Sequence, residues 1–353
     1  MLANARIAEK RLKPLGLSII EVDLGWQEGY LPSCFKENSQ FPHRFSWLSR
    51  ELARLGFKLG VWIAPFTVSE FDPLCREHPE WLLGGKGHKP LEVGEWFWEP
   101  HGKIYALDLT HPGAQGWLRS RIKSLADAGV RYLKADFLST AGGPALRDRY
   151  DKRIVAGGGS EAMRIGMRIV RDELLASDRH SLLLNCSGPE LPGAGSFPLL
   201  YACSDTGNTG FVGFEHHKKN YGANLAGHLL KHGRWGILQP SCLCVGPPGS
   251  LEEARLRATA TFMSGGQVDI SDDLTVLPED RWKVLLSTLP PLGEPARPVD
   301  LFEPVAVSHW DYEAMCRGSW KQSSEAEDGV SRVWRLKLSS PWDSWSPVSY
   351  THL

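Results

Sequence analysis

The stretch YLKADF at residues 132–137 carries an ammonium and a carboxylate two residues apart in an otherwise apolar run, at Lys134 and Asp136. Residues two apart share one face of a β-strand, so both side chains are expected on the same side of a buried sheet. A buried carboxylate is costly unless it is paired, and the neighbouring ammonium favours its ionised form. An ionised carboxylate held in place can act as a nucleophile or as a metal ligand.

The residues alone leave other roles open for this pair. It could be a structural ion pair of the core, or Lys134 could be the amine of a Schiff-base aldolase. A metal-ligand role for Asp136 needs further carboxylates or histidines at the next strand ends. The next strand end offers Cys186 in NCSG instead, so the sequence gives the metal hypothesis little support.

A second carboxylate, Asp205, ends the run LLYACSD at 199–205. Hydrolysis of a glycosidic bond needs two carboxyl groups beside one bond, about 5–5.5 Å apart when the sugar configuration is retained. Asp136 as nucleophile and Asp205 as acid/base would meet that need. The alternative for Asp205 is an ordinary turn aspartate before TGNTG.

Short apolar runs that alternate with helix-like segments must position these residues. Each run ends in polar, glycine-rich, cysteine or aspartate-bearing sequence, and the runs are 17–23, 58–66, 130–137, 181–187, 199–205, 235–241 and 266–273. Alternation of this kind predicts a parallel sheet covered by helices. Polar residues after many different strands favour a (β/α)8 TIM barrel, whose active site lies at the carboxyl ends of its strands.

Local signals predict where several helices begin and end. Gly56 and Gly129 are expected to end helices, and Thr110 is expected to cap one. Ser250 and Glu253 have the spacing of a capping box. The segment between the second strand and Thr110 is interpreted as a long polar and aromatic loop.

The ends of the chain predict a partial protein. The first seventeen residues have a helical pattern with no strand before it, so residues 1–300 are interpreted as a catalytic barrel truncated at its N-terminus and lacking its first strand. Residues 301–353 have Trp-rich, β-like runs and are interpreted as the start of a C-terminal all-β domain. The last residues, VSYTHL at 348–353, look like a translated sequencing adaptor and therefore an artefactual tail. We expect such a fragment to be a poor catalyst by itself, because a missing strand distorts the barrel.

Composition restricts the partners. The chain has 353 residues with 40 basic and 41 acidic side chains, and this balance argues against a nucleic-acid partner. Seven cysteines without a CxxC spacing indicate reduced thiols and predict a cytoplasmic protein. Neither a signal peptide nor an apolar run of about 18 residues is present, which predicts a protein with no membrane partner.

Ordered motifs resemble a known family. They are VDLGWQ (22–27), GVWIAPFTVSE (60–70), HPEWL (78–82), YALDLTHP (105–112), YLKADF (132–137), NCSGPELPGAG (185–195), CSDT (203–206) and ISDDL (270–274). Together they resemble the melibiase-type α-galactosidases of glycoside hydrolase family 36 and their relatives in family 27. The resemblance implies that Asp136 is the nucleophile and Asp205 the acid/base. It also implies that Asp23, Trp26, Trp62, Lys134 and Cys186 contact or wall the sugar.

Departures from the family pattern concern the sugar. The family usually has two aspartates, which hold the O4 and O6 hydroxyls, where this chain has Asp23 and Leu24. It usually has arginine at the position of Tyr201, and D-P-D where this chain has Gln239, Pro240 and Ser241. A site built to bond one hydroxyl discriminates strongly against analogues that lack it, so these changes bear on specificity.

The sequence therefore predicts a retaining exo-α-glycosidase, in the first place an α-galactosidase, that acts on oligosaccharides or α-galactosides without a cofactor. One alternative is a raffinose-synthase-like galactosyl transferase, and another is an α-glycosidase for a different sugar such as N-acetylgalactosamine. A catalytically dead sugar-binding protein is the alternative outside the enzymes. His228 and His232 have a helical i, i+4 spacing, but without an HExxH motif they are interpreted as a solvated helix face. Oligomerisation is left open.

Overall fold

The computed structural model describes two compact units, one of residues 18–199 and one of residues 1–17 with 200–353. The described residues are 1–84, 89–96, 99–142, 149–154, 159–186, 188–202, 204–207, 213–214, 216–217 and 225–298, with the backbone of 319–325, 331–337 and 348–351.

The helices and strands of the described residues have the following bounds. The helices are α1 (Leu2–Arg11), α2 (Arg44–Arg54), α3 (Leu74–Glu77), α4 (Pro112–Asp127), α5 (Ser160–Ser177), α6 (Glu190–Gly193), α7 (Ala226–His228), α8 (Leu251–Met263) and α9 (Glu279–Leu286). The strands are β1 (Ile19–Val22), β2 (Lys58–Ile63), β3 (Thr67–Ser69), β4 (Glu92–Trp96), β5 (Gly102–Ala106), β6 (Val130–Ala135), β7 (Leu182–Asn185), β8 (Leu199–Tyr201), β9 (Ile237–Gln239), β10 (Cys242–Leu243), β11 (Asp269–Ile270), β12 (Arg297–Pro298), β13 (Ser319–Glu325), β14 (Ser331–Lys337) and β15 (Val348–Thr351).

Residues 18–199 fold around a parallel sheet in which β1, β2, β6 and β7 are neighbours in that order. β2 and β6 are buried along almost their whole length, which explains their continuous apolar sequence, since a parallel sheet is covered on both faces. α2 lies between β1 and β2 in sequence and buries Phe45, Leu48 and Leu52. The predicted alternation of strands and helices is confirmed in this unit.

The register of this sheet brings polar strand ends to one level. Trp62 on β2 is the direct partner of Lys134 on β6. One residue beyond β6, the Asp136 N–H donates to the carbonyl of Ile63 at 2.8 Å. The Cys186 N–H extends the ladder in the same way and donates to the last carbonyl of β6 at 2.9 Å. The carboxyl ends of β2, β6 and β7 therefore stop side by side.

A separate antiparallel sheet, in the order β3-β5-β4, lies in the connection between β2 and α4. The sequence predicted a loop here, and that prediction is wrong for these strands. They are short and polar, and the register of β4 with β5 shifts beside Gly94, so no alternating apolar pattern marks them. Glu70 fixes one edge, because its Oε1 accepts the Lys103 N–H at 2.7 Å.

The other unit contains β8, β9 and a short parallel pair of β10 with β11. Its apolar core includes Leu200, Ala202, Leu225, Leu229, Leu238, Leu256, Ala260, Met263 and Ala296. The predicted run 266–273 forms a strand only at β11. The capping box that opens α8 is confirmed, because Ser250 Oγ accepts the Glu253 N–H at 3.1 Å and Glu253 Oε2 accepts the Ser250 N–H at 2.6 Å.

The strands β12 to β15 are consecutive antiparallel neighbours. The β-like run SRVWRLKLS at 331–339 corresponds to β14, whereas the run PVAVSHWDY at 304–312 lies outside the described residues. The assignment of 301–353 to a separate β-domain stays a prediction.

The structure confirms some of the helix ends predicted from the sequence and contradicts others. Gly56 and Gly129 follow α2 and α4 with φ of 80° and 94°, a left-handed conformation that glycine adopts without strain, so both predicted ends are confirmed. The predicted cap at Thr110 is wrong. The ring of His111 caps α4 by accepting a backbone N–H at 3.0 Å, and the Thr110 hydroxyl instead donates to Asp108 at 2.7 Å. The imidazole of His111, one residue further along the chain, therefore caps the helix in place of Thr110.

The predicted helix through His228 and His232 is also wrong. α7 ends at His228, a 3-10 turn follows at Leu229–Lys231, and His232 lies beyond it with Nε2 at 3.1 Å from the Gly293 carbonyl oxygen. Within the described part of the chain, no three His, Cys, Asp or Glu side chains are grouped as metal ligands. None of the helices described here combines the length and apolar character needed to cross a bilayer.

Candidate active site

Asp136 directly follows β6, and N–H donors hold both of its carboxylate oxygens. Trp62 Nε1 donates to Oδ2 at 3.2 Å, and the Phe137 backbone N–H donates to Oδ1 at 2.7 Å. Phe137 has a φ of 50°, which is uncommon for a residue with a side chain. The turn that begins there aims a backbone donor back at the carboxylate. The half-buried Asp136 is thus fixed in orientation at a strand end.

Lys134 is buried, and its Nζ donates to Asp23 Oδ2 at 2.8 Å. Asp23 follows β1 and keeps 54% of its side chain exposed, while its Oδ1 accepts the Leu24 N–H at 2.7 Å. This ion pair joins the ends of two strands that are not neighbours. It holds a carboxylate at the surface close to the strand ends, where the carboxylate could accept hydrogen bonds from a ligand. A Schiff-base role would require an uncharged Lys134 amine, whereas the structure pairs its Nζ with the carboxylate of Asp23.

Aromatic and apolar side chains surround Trp62. Phe137 lies edge-on to Trp62 and to Trp96, with ring centroids 6.4 Å and 5.8 Å apart. Leu24 and Leu31 pack against the same cluster. Leu24 therefore presents an apolar side chain beside Asp23, at the position where the family pattern has an acid.

Two predicted sugar contacts are buried. Trp26 is 1% exposed, packs against Phe45 at 5.0 Å between ring centroids, and donates through Nε1 to the Trp62 carbonyl at 2.9 Å. Cys186 is also 1% exposed. In this structure both lie in the core beneath the strand ends, and their role in contacting or walling the sugar stays a prediction.

In the other unit, Asp205 is exposed and accepts a hydrogen bond at Oδ1 from the Tyr201 hydroxyl, 2.8 Å away. Tyr201 Oη also lies 2.7 Å from Ser241 Oγ. Gln239 Oε1 accepts the Ser241 N–H at 2.9 Å, and Gln239 Nε2 donates to Asp269 Oδ2 at 3.0 Å. Three departures from the family pattern therefore belong to one hydrogen-bonded group.

The acidic end of the predicted run 266–273 supports the fold. Asp272 accepts the Val245 and Gly246 N–H groups at 2.8 Å each, and burial raises the pKa of its carboxyl. Asp273 accepts from Thr275, and that hydrogen bond lowers its pKa. These aspartates are anchors for loops.

Sequence reasoning missed several residues of this region. It did not single out Trp96 or Phe137 of the aromatic cluster, nor the bond from Lys134 to Asp23. The signal for Phe137 was present, since it directly follows Asp136. The ion pair joins residues 111 positions apart, so no local pattern could reveal it.

Known proteins resemble the chain in sequence and in fold. AgaA, an α-galactosidase of Geobacillus stearothermophilus with a crystal structure described as GH36, is 25% identical over 204 residues, which are 54% of this chain and 26% of AgaA. An α-xylosidase of Emericella nidulans is 30% identical over 127 residues, 35% of this chain and 15% of that enzyme. The chain is similar in sequence to α-galactosidases, one of which is described as GH36, and it spans about a quarter of that enzyme.

Solved structures show the fold. TtGalA, an α-galactosidase from Thermus thermophilus in complex with stachyose, aligns with a TM-score of 0.63 at 21% identity, over 80% of this chain and 60% of TtGalA. A GH27 β-L-arabinopyranosidase from Geobacillus stearothermophilus aligns with a TM-score of 0.64 at 15% identity, over 95% of this chain and 79% of that protein. These neighbours have a TIM-barrel catalytic domain, and the parallel sheet of β1, β2, β6 and β7 is similar to part of such a barrel. No family model matches the chain.

Proposed function

We propose that this chain is the catalytic part of a retaining exo-α-glycosidase, and first an α-galactosidase that hydrolyses terminal α-linked galactose through a covalent glycosyl-enzyme intermediate. The observation that carries the proposal is Asp136, a half-buried carboxylate at the end of a parallel strand. Its two oxygens accept N–H donors from Trp62 and Phe137 at 3.2 Å and 2.7 Å. A nucleophile that is already oriented in this way needs little rearrangement before attack.

In the proposed mechanism, Asp136 attacks the anomeric carbon while Asp205 donates a proton to the departing glycosidic oxygen. Asp205 then takes a proton from water as the water displaces Asp136. Asp23 and Lys134 are proposed to bond sugar hydroxyls, and Trp62 to pack against the sugar face. Trp26 and Cys186 keep these groups in place from the core.

Other functions remain alternatives on specific grounds. The apolar Leu24 beside Asp23 favours a different sugar, such as the xylose of the α-xylosidase relative or N-acetylgalactosamine. A raffinose-synthase-like transferase would share the intermediate and differ only in its acceptor. A sugar-binding protein without catalysis is disfavoured because it needs neither Asp136 nor Asp205.

The remaining assignments belong to the same proposal. The partner is an oligosaccharide or α-galactoside, with no cofactor, nucleic acid or membrane, and with oligomerisation left open. A cytoplasmic location is supported by the free thiols of Cys34, Cys75, Cys186, Cys242 and Cys244. Residues 1–300 are proposed as the catalytic barrel and 301–353 as part of a β-domain.

The nucleophile is tested in the full-length protein that contains this chain. A panel of nitrophenyl α-glycosides of galactose, xylose and N-acetylgalactosamine identifies the sugar. Asp136→Ala should then abolish turnover, and added azide should restore part of it with formation of a β-glycosyl azide, because the anion enters the vacated space opposite the leaving group. An α-azide product, or full activity without Asp136, would overturn the assignment.

The acid/base is tested by its dependence on the leaving group. Asp205→Ala should reduce kcat/KM for alkyl glycosides by about a hundredfold or more and affect kcat/KM for nitrophenyl glycosides much less, since kcat/KM reports the first step and only the alkyl group needs a proton at departure. Equal losses on both substrates would instead indicate that Asp205 binds the sugar.

A further inference from the structure

Tyr201 and Ser241 link Asp205 to the buried backbone of its own unit. Tyr201 Oη lies 2.8 Å from Asp205 Oδ1 and 2.7 Å from Ser241 Oγ. Ser241 Oγ in turn accepts the Thr206 backbone N–H at 3.0 Å. The carboxyl group of an exposed aspartate is thus tied to the main chain through two hydroxyls.

The donors in this chain of bonds have a defined direction. A carboxylate oxygen only accepts, so the Tyr201 proton goes to Asp205 Oδ1. In the short contact between the two hydroxyls, Ser241 Oγ is then the donor and Tyr201 Oη the acceptor. The sequence of donors therefore runs from Thr206 N–H through Ser241 and Tyr201 to Asp205. Each bond polarises the next, which strengthens the series.

The group that holds Asp205 is rigid. Tyr201, Ser241 and Gln239 are 8%, 1% and 0% exposed. Ser241 has a φ of 68°, and its N–H is fixed by Gln239 Oε1, while Gln239 is fixed by Asp269. A strained backbone of this kind persists only where its surroundings determine it, and such residues are common at functional sites.

The three positions of this group that depart from the family pattern, Tyr201, Gln239 and Ser241, are all neutral. The family pattern combines an arginine with D-P-D, whereas this chain combines the neutral Tyr201 with Gln239 and Ser241. Tyr201 contacts both Asp205 and Ser241, so positions 201 and 241 lie together in the fold. In this chain, neutral hydroxyl and amide groups replace the charged residues of the family pattern at all three positions.

We propose that Tyr201, supported by Ser241, is a positioning residue for the acid/base. This inference rests on the proposed role of Asp205. By occupying Oδ1, Tyr201 leaves Oδ2 as the oxygen that carries the transferred proton and fixes its direction. It does not touch the reacting atoms in this role, so its loss lowers proton transfer while leaving sugar binding intact.

The test compares Tyr201→Phe with the full-length parent protein, using aryl and alkyl α-glycosides of the sugar that the panel selects. The ring stays in place and only the hydroxyl is lost. We expect kcat/KM on the alkyl glycoside to fall by about tenfold or more and kcat/KM on the 4-nitrophenyl glycoside to change by less than about threefold, because kcat/KM reports the first step, in which only the alkyl leaving group needs a proton. Tyr150→Phe, in an exposed tyrosine of the other unit, is the matched control and should change none of these values.

Ser241→Gly provides a second variant that is expected to fold, because glycine suits the positive φ while the hydroxyl is lost. It should shift the same leaving-group dependence, by less than Tyr201→Phe. Equal losses of kcat/KM on both substrates in either variant, or values of kcat/KM that match the parent on both substrates, would overturn the positioning role. Failure of the parent protein to cleave any glycoside of the panel would instead overturn the proposed function on which the inference rests.

Discussion

The orientation of Asp136 depends on one donor from a side chain and one from the backbone, and these have different origins. The Phe137 N–H follows from the turn at φ 50°, so any sequence that keeps this turn keeps the bond. The Trp62 Nε1 donor depends on a specific side chain on the neighbouring strand. Trp62 therefore has two roles, since its ring packs against Phe137 and its N–H donates to the Asp136 carboxylate.

At the residue scale, Leu24 is the position that the proposed function links most directly to the choice of sugar. Its side chain packs against the Trp62 and Trp96 cluster, beside the exposed carboxylate of Asp23. We predict that Leu24→Asp raises the ratio of kcat/KM for α-galactosides over α-xylosides by about tenfold or more, because a carboxylate there could bond a hydroxyl that xylose lacks.

Leu31→Asp is the control for this change, since Leu31 packs against the same cluster. It should weaken the fold to a similar extent, because both variants place a charge among apolar side chains. It should leave the ratio of the two kcat/KM values unchanged. An equal shift of the ratio in both variants would mean that the effect comes from a loosened cluster and not from position 24.

At the scale of elements, buried parallel strands are the part of the fold that the sequence predicts best. β2 and β6 are covered on both faces, so their apolar runs are continuous and easily recognised. β4 and β5 pair with each other at the surface, where Glu95 faces Lys103, and polar strands of this kind look like a loop in the sequence. The helix start at His111 was missed because Thr110 is the better cap by residue type, yet its hydroxyl is used by Asp108.

The same limit applies to the candidate site. Asp136 and Asp205 could be singled out as candidates because each follows an apolar run that is visible in the sequence. The contacts that hold them could not be predicted, since Trp62 reaches Asp136 from 74 positions away and Ser241 reaches Tyr201 from 40 positions away. Only the fold determines which side chains meet across such distances.

Among the side chains that join one element to another, Asp108 is expected to contribute most clearly to the stability of the fold. It is 2% exposed, its Oδ1 accepts from the N–H and hydroxyl of Thr110 at 3.0 Å and 2.7 Å, and its Oδ2 accepts the Tyr150 N–H at 2.6 Å. Arg149 Nη1 lies 3.9 Å away, and burial lowers the pKa of that guanidinium, opposed by Asp108. The carboxylate ties the start of α4 to the segment that precedes α5.

We therefore predict that Asp108→Asn lowers the free energy of unfolding by about 3 kcal/mol, because it leaves a buried arginine without its acid. Urea unfolding followed by circular dichroism measures the change. Asp127→Asn removes an exposed i, i+4 pair with Lys123 in the same unit and should lower the free energy of unfolding far less than Asp108→Asn does. Similar losses in the two variants would show that the Asp108 network does not stabilise the fold.

At the scale of the whole molecule, a buried carboxyl group and an ion-paired one change the stability of the fold in opposite directions as the pH rises. Burial raises the pKa of Asp72, against the N–H bond from Leu74. Asp151 is partly exposed, and its hydrogen bond with the Arg153 guanidinium lowers its pKa to about 2. The stability that depends on Asp72 is greatest while it is protonated and falls as the pH rises above its ordinary range. The contribution of Asp151 is present above its ordinary pKa and is lost as the pH falls towards about 2.

Asparagine at each position separates these two effects, because it removes the titration and keeps the shape. At about pH 7, Asp72→Asn should raise the urea midpoint of unfolding, since the folded protein no longer holds a buried charge. Asp151→Asn should lower the midpoint at the same pH, since it loses the bond to Arg153. Towards about pH 3 both variants should approach the parent protein from opposite sides, because Asp72 becomes neutral in either state and the advantage of Asp151 fades. Midpoint differences that stay constant from about pH 7 to about pH 3 would show that neither carboxyl titrates differently in the folded and unfolded chain.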